Sequence, residues 1–198
     1  MRKRFNITGS CNPQLHYMVN TENRFKAVRE LIELGEYFTI NRARQYGKTT
    51  MLDMIWNRLS DQYLVVPMSF EGVGSSAFES EEAFAEMFAR LMSRHLIYMI
   101  PNVELIEIWQ NPLVSSMDEL SVLISDFCMK SPKPVVLTVD EVDKSCDNQL
   151  FLNFLGMLRN KYLGRNREGM ESTFLSVVLA GVYDVKNMKL KIRTDAEK

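Results

Sequence analysis

The sequence predicts a three-layer α/β fold, one parallel β-sheet with helices packed on both of its faces. Three observations carry that expectation. The stretch "EYFTINRARQYGKTTMLDMIWNRL" (36–59) reads as strand, glycine-lysine loop and helix in immediate succession. The stretch "KPVVLTVDE" (133–141) is a short hydrophobic run that ends in two acids. Around them, β-rich segments alternate with segments of helical period, and such alternation calls for parallel strands joined by helical crossovers.

Taken in order, "TENRFKAVRELIELG" (21–35) has helical periodicity and closes on Gly35. "EYFTIN" (Glu36 to Asn41) is aromatic and β-branched, so it reads as a strand. A helix then starts at or near Lys48, with Met51, Leu52, Ile55 and Leu59 on its apolar face and Asp53, Asn57 and Arg58 opposite. "YLVVPMSF" (Tyr63 to Phe70) is a strand carrying Pro67, which a sheet tolerates mainly at an edge.

Ser80 caps a long helix with Glu81 and Glu82 in its first turn, and Phe84, Met87, Phe88, Leu91, Met92 and His95 share one face until Pro101 closes or bends it. His95, on that apolar face, reads as a core histidine rather than a ligand. Ser116 and Glu119 form a capping-box pattern ahead of Leu120, Leu123, Ile124 and Phe127. The acid-ended strand follows at Val135 to Val139. A helix burying Leu150, Phe151, Phe154, Leu155 and Leu158 stops near Gly164, and "TFLSVVLAG" (Thr173 to Gly181) supplies one more buried strand.

The loop between the first strand and its helix ends like a phosphate cradle. In G-x-x-x-x-G-K-[ST] the backbone N–H groups surround phosphate oxygens, the lysine reaches the β and γ phosphates and the hydroxyl reaches Mg²⁺. Here Gly47, Lys48 and Thr49 fill the last three places, while Arg42 stands where the first glycine belongs. Backbone groups from Arg44 through Gln45, Tyr46, Gly47, Lys48 and Thr49 to Thr50 are the expected cradle. The second half of such a site is an acid after a hydrophobic strand, because Mg²⁺ demands oxygen ligands. Asp140 is the expected magnesium ligand beside Thr49, and Glu141 is placed to orient or deprotonate the attacking water. Asp143 either supports the metal from further out or is a turn acid. Together these residues point to a nucleoside triphosphate and Mg²⁺ as ligands. Arg42 is expected to turn to solvent, the alternative being that it joins Arg44 as a charge clamp on the phosphates; for Arg44 both alternatives stay open.

Composition excludes several other classes. Residues of the apolar types make up 46% and charged residues 25%, which is the balance of a folded globular domain rather than a disordered chain. A formal net charge of -1 gives no electrostatic reason to expect nucleic acid or an anionic membrane as partner. Cys11, Cys128 and Cys146 are widely spaced, which fits neither a disulfide framework nor a zinc site and suits the cytoplasm. No apolar run is long enough to cross a membrane or to serve as a signal peptide. One domain is expected: residues 1–35 as an N-terminal segment and helix, 36–184 as the nucleotide-binding core, and 185–198 as a tail.

Four stretches, "NPQLHYMV" (Asn12 to Val19), "GEYFTINRARQYGKTT" (Gly35 to Thr50), "LTVDEVD" (Leu137 to Asp143) and "LAGVYDVKNMKLKIR" (179–193), resemble the bacterial AAA-like predicted ATPases. The resemblance spans nearly the whole chain. It makes the expected nucleotide ATP, hydrolysed slowly, and implies a P-loop sheet with one extra strand between the phosphate loop and the Asp-Glu strand. The expected order is 5-1-4-3-2, with Pro67 on the edge strand and Thr173 to Gly181 between the loop strand and the acid strand. Nothing before "KLKIRTDAEK" fills the fifth place, so the chain is expected to end before its fold is complete. Similar proteins continue into a small helical region and a restriction-endonuclease-like domain, and the resemblance implies a homo-oligomer or a missing C-terminal effector domain as partner. It also implies that Arg159, Arg165 or Arg167 could serve as an arginine finger, and that His16 and Tyr17 could stack on the base or pack under the first helix.

The end of the last strand should carry a polar group beside the γ phosphate. Gly181, Val182, Tyr183 and Asp184 offer no Asn, Ser or Thr there, which leaves Tyr183 and Asp184 as substitutes. Two rivals to an ATPase follow. One is a nucleotide-binding switch or interaction module without useful turnover, and the other a nuclease-linked defence or mobile-element protein.

Overall fold

The computed structural model describes residues 2–6, 11, 14–43, 45–99, 102–110, 113–142, 148–165 and 172–182. Arg44, Asp143, Cys146, Pro101, Arg167, Tyr183, Asp184 and the 185–198 tail, each singled out above, lie outside the described residues.

The elements alternate as the pattern requires. Helix α1 (Glu22–Glu33) leads into β1 (Tyr37–Asn41), α2 (Lys48–Leu59) and β2 (Leu64–Ser69). A 3₁₀ turn at Ser75–Phe78 precedes α3 (Glu81–Met99), a short α4 (Val103–Glu107) and α5 (Met117–Lys130). Strand β3 (Val135–Asp140), helix α6 (Gln149–Gly164) and strand β4 (Ser176–Gly181) complete the order. Neither the 3₁₀ turn nor α4 has the length to show a period in the sequence. Asn102 starts α4 by accepting the Leu105 amide at 3.3 Å.

Among the described residues the sheet has four strands, all parallel, in the order β1-β4-β3-β2. Pro67 therefore sits on an edge strand, opposite Thr138, where its missing N–H does least harm. The last strand, inserted between the loop strand and the acid strand, begins at Ser176 rather than Thr173. Before it, Phe174 is fully buried without being in the ladder, and its carbonyl accepts the Tyr37 hydroxyl at 2.9 Å.

Period-two alternation divides the core between the two faces. Val135, Leu137 and Val139 of β3 and Val177 of β4 pack with α3, α5 and α6, whereas Val136, Val178 and Ala180 pack with α1 and α2. The larger layer is aromatic. Phe84 and Phe88 each contact Phe154, at ring centroids 5.3 and 5.1 Å apart, and Trp109 links Phe88 to Phe127. On the other face, Arg58 of α2 holds Glu22 of α1 through two hydrogen bonds of 2.9 and 2.8 Å.

The helix starts are locally encoded. Ser80 accepts the Ala83 amide at 3.1 Å and Ser116 accepts the Glu119 amide at 3.2 Å. The Glu119 carboxylate reaches Ser115 rather than Ser116, taking its amide at 2.7 Å, so the capping box is displaced by one residue. Those bonds hold the Glu119 carboxyl below its usual pKa.

Candidate functional site

At the C-terminal end of the sheet, β1 delivers the chain into Arg42 and Ala43, and α2 begins at Lys48. Gly47 precedes it with φ +79°, and a Cβ there would meet nothing within 4 Å. Conformation, not space, is thus what requires glycine at this position. Among the described residues no side chain caps α2, which leaves its first amides toward the loop.

Arg42 keeps an ordinary φ, is exposed, and donates its amide to the Gly181 carbonyl at 3.3 Å. The absent first glycine is therefore no obstacle to this loop. Lys48 is 7% exposed, and its Nζ donates to the carbonyls of Arg42 at 3.1 Å and Ala43 at 3.4 Å. Among the described residues no carboxylate lies within ion-pair distance of it. Gln45 and Tyr46 are exposed.

Thr49 meets the end of β3. Its hydroxyl donates to Asp140 Oδ2 at 2.7 Å, and the Glu141 amide donates to Asp140 Oδ1 at 2.9 Å. Among the described residues, the two non-glycine positions with positive φ are Gln45 (+64°) and Glu141 (+57°), one on each side of this junction. Backbone strain of this kind, about 1–3 kcal/mol per residue, gathers at functional sites.

Thr50 is buried, and its hydroxyl accepts the Cys11 amide at 3.1 Å, so its side chain serves the N-terminal segment. Beyond it lies a cleft of about 620 Å³ between that segment and α2, with Met18, Asn20, Asp53, Met54 and Asn57 in its walls. Asp53 and Asn57 belong to the polar face of α2, which is the sequence signal for this cleft. His16 and Tyr17 do not line it. His16 is buried, and Tyr17 packs on Phe5 with centroids 5.1 Å apart.

Other candidates lie apart from this junction. Arg165 is committed at the opposite end of the sheet, donating to the Gly35 and Leu175 carbonyls and lying over the Tyr162 ring at 4.3 Å. Arg159 is exposed on α6. His95 is half-buried on α3, at the margin of the core rather than within it, and burial and then Arg94 lower its pKa. Among the described residues, no three His, Cys, Asp or Glu side chains converge into a metal cage. A cation at Thr49 and Asp140 would therefore complete its shell with phosphate oxygens and water, the usual habit of Mg²⁺. Among the described residues no helix is long and apolar enough to cross a membrane.

A parallel sheet in this order, with a Gly-Lys-Thr loop heading α2 and an acid-ended strand two places away, defines an α/β protein of the P-loop nucleoside-triphosphatase type. The chain belongs to the AAA-like domain family, whose model matches residues 10–184. None of the curated proteins matches it. Family membership carries nucleotide binding as the general property.

Proposed function

We propose that the chain binds ATP on the Gly47–Thr50 turn and hydrolyses it slowly, with Mg²⁺, to ADP and phosphate. The observation that carries this reading is Lys48: a buried ammonium held by two neutral carbonyls, with no counter-ion among the described residues. Burying a charge without a partner is unfavourable, and a polyphosphate supplies the missing negative charge. Amides from Gln45 to Thr50 and the start of α2 would donate to its oxygens. Arg44 is part of the same proposed cradle.

Thr49 and Asp140, already joined, would hold Mg²⁺, which supplies charge stabilisation at the β and γ phosphates. Glu141 would orient a water and accept its proton as the water oxygen bonds to the γ phosphorus and the bond to the β–γ bridging oxygen breaks. The cleft beginning at Thr50 is the proposed seat of the base, between Met18 and Met54.

The test is a thermal melt with and without Mg²⁺-ATP, on the native chain and on Lys48→Ala. Ligand at a hundred times its Kd adds about 2.7 kcal/mol, which for a chain of this size raises the midpoint by roughly 5–10 °C. Loss of that rise in Lys48→Ala supports the reading. A well-folded native chain whose midpoint ignores ATP sinks it.

A switch that binds nucleotide without useful turnover is the second reading. It draws on the end of β4, where Gly181 offers no side chain to sense the γ phosphate.

A further inference from the structure

The end of β4 is bare, but its neighbour is not. Strand register sets Asn41, the last residue of β1, directly beside Gly181. The Arg42 amide bonded to the Gly181 carbonyl fixes that pairing one residue further on. Gly181 is buried but carries only hydrogen, so β4 itself sets no side chain beside the amide of Asn41. On the other side, β3 pairs with β4 through Val139 and Leu179, and Glu141 follows two residues later. Asn41 and Glu141 thus stand on the two strands that flank the bare one.

Asn41 also adjoins the cation of the site. Lys48 Nζ rests on the carbonyl of Arg42, the next residue along. A phosphate that draws Lys48 off that carbonyl arrives one residue from Asn41. The amide is only lightly held: Nδ2 donates to Thr39 Oγ1 at 3.3 Å on an exposed part of the strand, and an amide nitrogen has a second hydrogen to give.

We propose that Asn41 donates to the terminal phosphate of a bound nucleoside triphosphate, standing in from β1 for the polar residue that β4 lacks. This assignment rests on the nucleotide reading of the site. It makes Asn41 the group that distinguishes triphosphate from diphosphate, with Thr39 as the residue that orients its amide. A purely local role, tying the end of β1 to Thr39, predicts no such discrimination.

The experiment compares affinities for the non-hydrolysable imido analogue of ATP and for ADP, both with Mg²⁺, in the native chain, Asn41→Ala and Asn41→Asp. One lost hydrogen bond to a charged group corresponds to roughly tenfold or more in affinity. Asn41→Ala should therefore lose about tenfold for the triphosphate and change ADP affinity by less than about twofold. Asn41→Asp, nearly isosteric but anionic, should weaken the triphosphate further still. An unchanged triphosphate-to-diphosphate ratio in both variants overturns the assignment and leaves the nucleotide site standing. A native chain that binds neither ligand overturns both.

Discussion

At the N-terminal end of the sheet, the Arg165 guanidinium is spent on two backbone carbonyls, those of Gly35 and Leu175. At the C-terminal end, the Lys48 ammonium likewise rests on two backbone carbonyls, those of Arg42 and Ala43. The bonding looks alike, but the surroundings differ. Around Arg165, Tyr37 bonds the Phe174 carbonyl, Ser176 bonds the Glu36 carbonyl, and Lys161 bonds Ser125. Even the glycine is shaped to its neighbour: a Cβ on Gly35 would come within 3.0 Å of Arg165. Around Lys48 the loop is exposed, Gln45 and Glu141 hold strained φ angles, and among the described residues no side chain caps α2. The lesson is that a cation on carbonyls is a fastening when everything near it is satisfied, and a resting position when its neighbours are not.

Changes at each end should therefore separate stability from nucleotide chemistry. The largest effect expected is in Glu141→Gln: phosphate release falls by about 10² or more, while the ATP-induced rise in melting midpoint persists. Equal turnover in this variant would remove Glu141 from the chemistry. Next, Arg165→Ala leaves two carbonyls without their donor and should cost about 2–4 kcal/mol, read by denaturant unfolding, with nucleotide affinity intact. A parallel loss of affinity would mean that the two ends are not independent.

Alkaline titration probes the N-terminal end without mutation. Burial pushes the Tyr37 hydroxyl from near 10 up to about 12, against the hydrogen bond with Thr173. Burial likewise pushes the Cys128 thiol from near 9 up to about 12, opposed by Lys161. In both, the folded state holds the proton more tightly. The stability they contribute is complete below pH 9–10 and is lost as pH rises toward about 12. For Tyr37 the loss is on the order of 2–3 kcal/mol, and Tyr37→Phe should flatten the upper part of the unfolding-versus-pH curve. The smallest effect is expected at Arg42. Arg42→Gly restores the usual loop residue, yet it should weaken stability by less than about 1 kcal/mol through unfolded-chain entropy, without improving ATP affinity.

The layers were legible in the sequence because they follow from short-range pattern, whereas the strand order was what the resemblance to P-loop ATPases implied. Valine-rich runs with helical segments between them call for parallel strands, and the proline on one of them agrees with the edge place that order gives it. The Thr49–Asp140 bond was legible as a pairing of residue types, although the partners lie 91 positions apart. Arg165 was not legible. Its partners are main-chain carbonyls, which every residue has, so no spacing marks them, and the resemblance offered the same arginine as one of three finger candidates. The cleft beside α2 was only half legible for a related reason: nearly half of its wall, Cys11 and Met18 to Thr21, is irregular chain with no period to follow. The displaced capping box shows the limit at finer scale, since a one-residue choice between Ser115 and Ser116 depends on how the chain enters the helix.

The sheet order also sets a timetable for synthesis. Among the described residues β1 pairs with β4 alone, and the bond from Ser176 to Glu36 spans 140 positions. At about 5–20 residues per second, the ribosome takes roughly 7–28 s to travel from one to the other. During that interval β2 and β3 can already pair, whereas the strand that carries the phosphate loop has no neighbour to lie against. The loop is translated early, directly after α1 and β1, yet it is among the last parts to take its shape, so nucleotide meets a formed cradle only once β4 has been made.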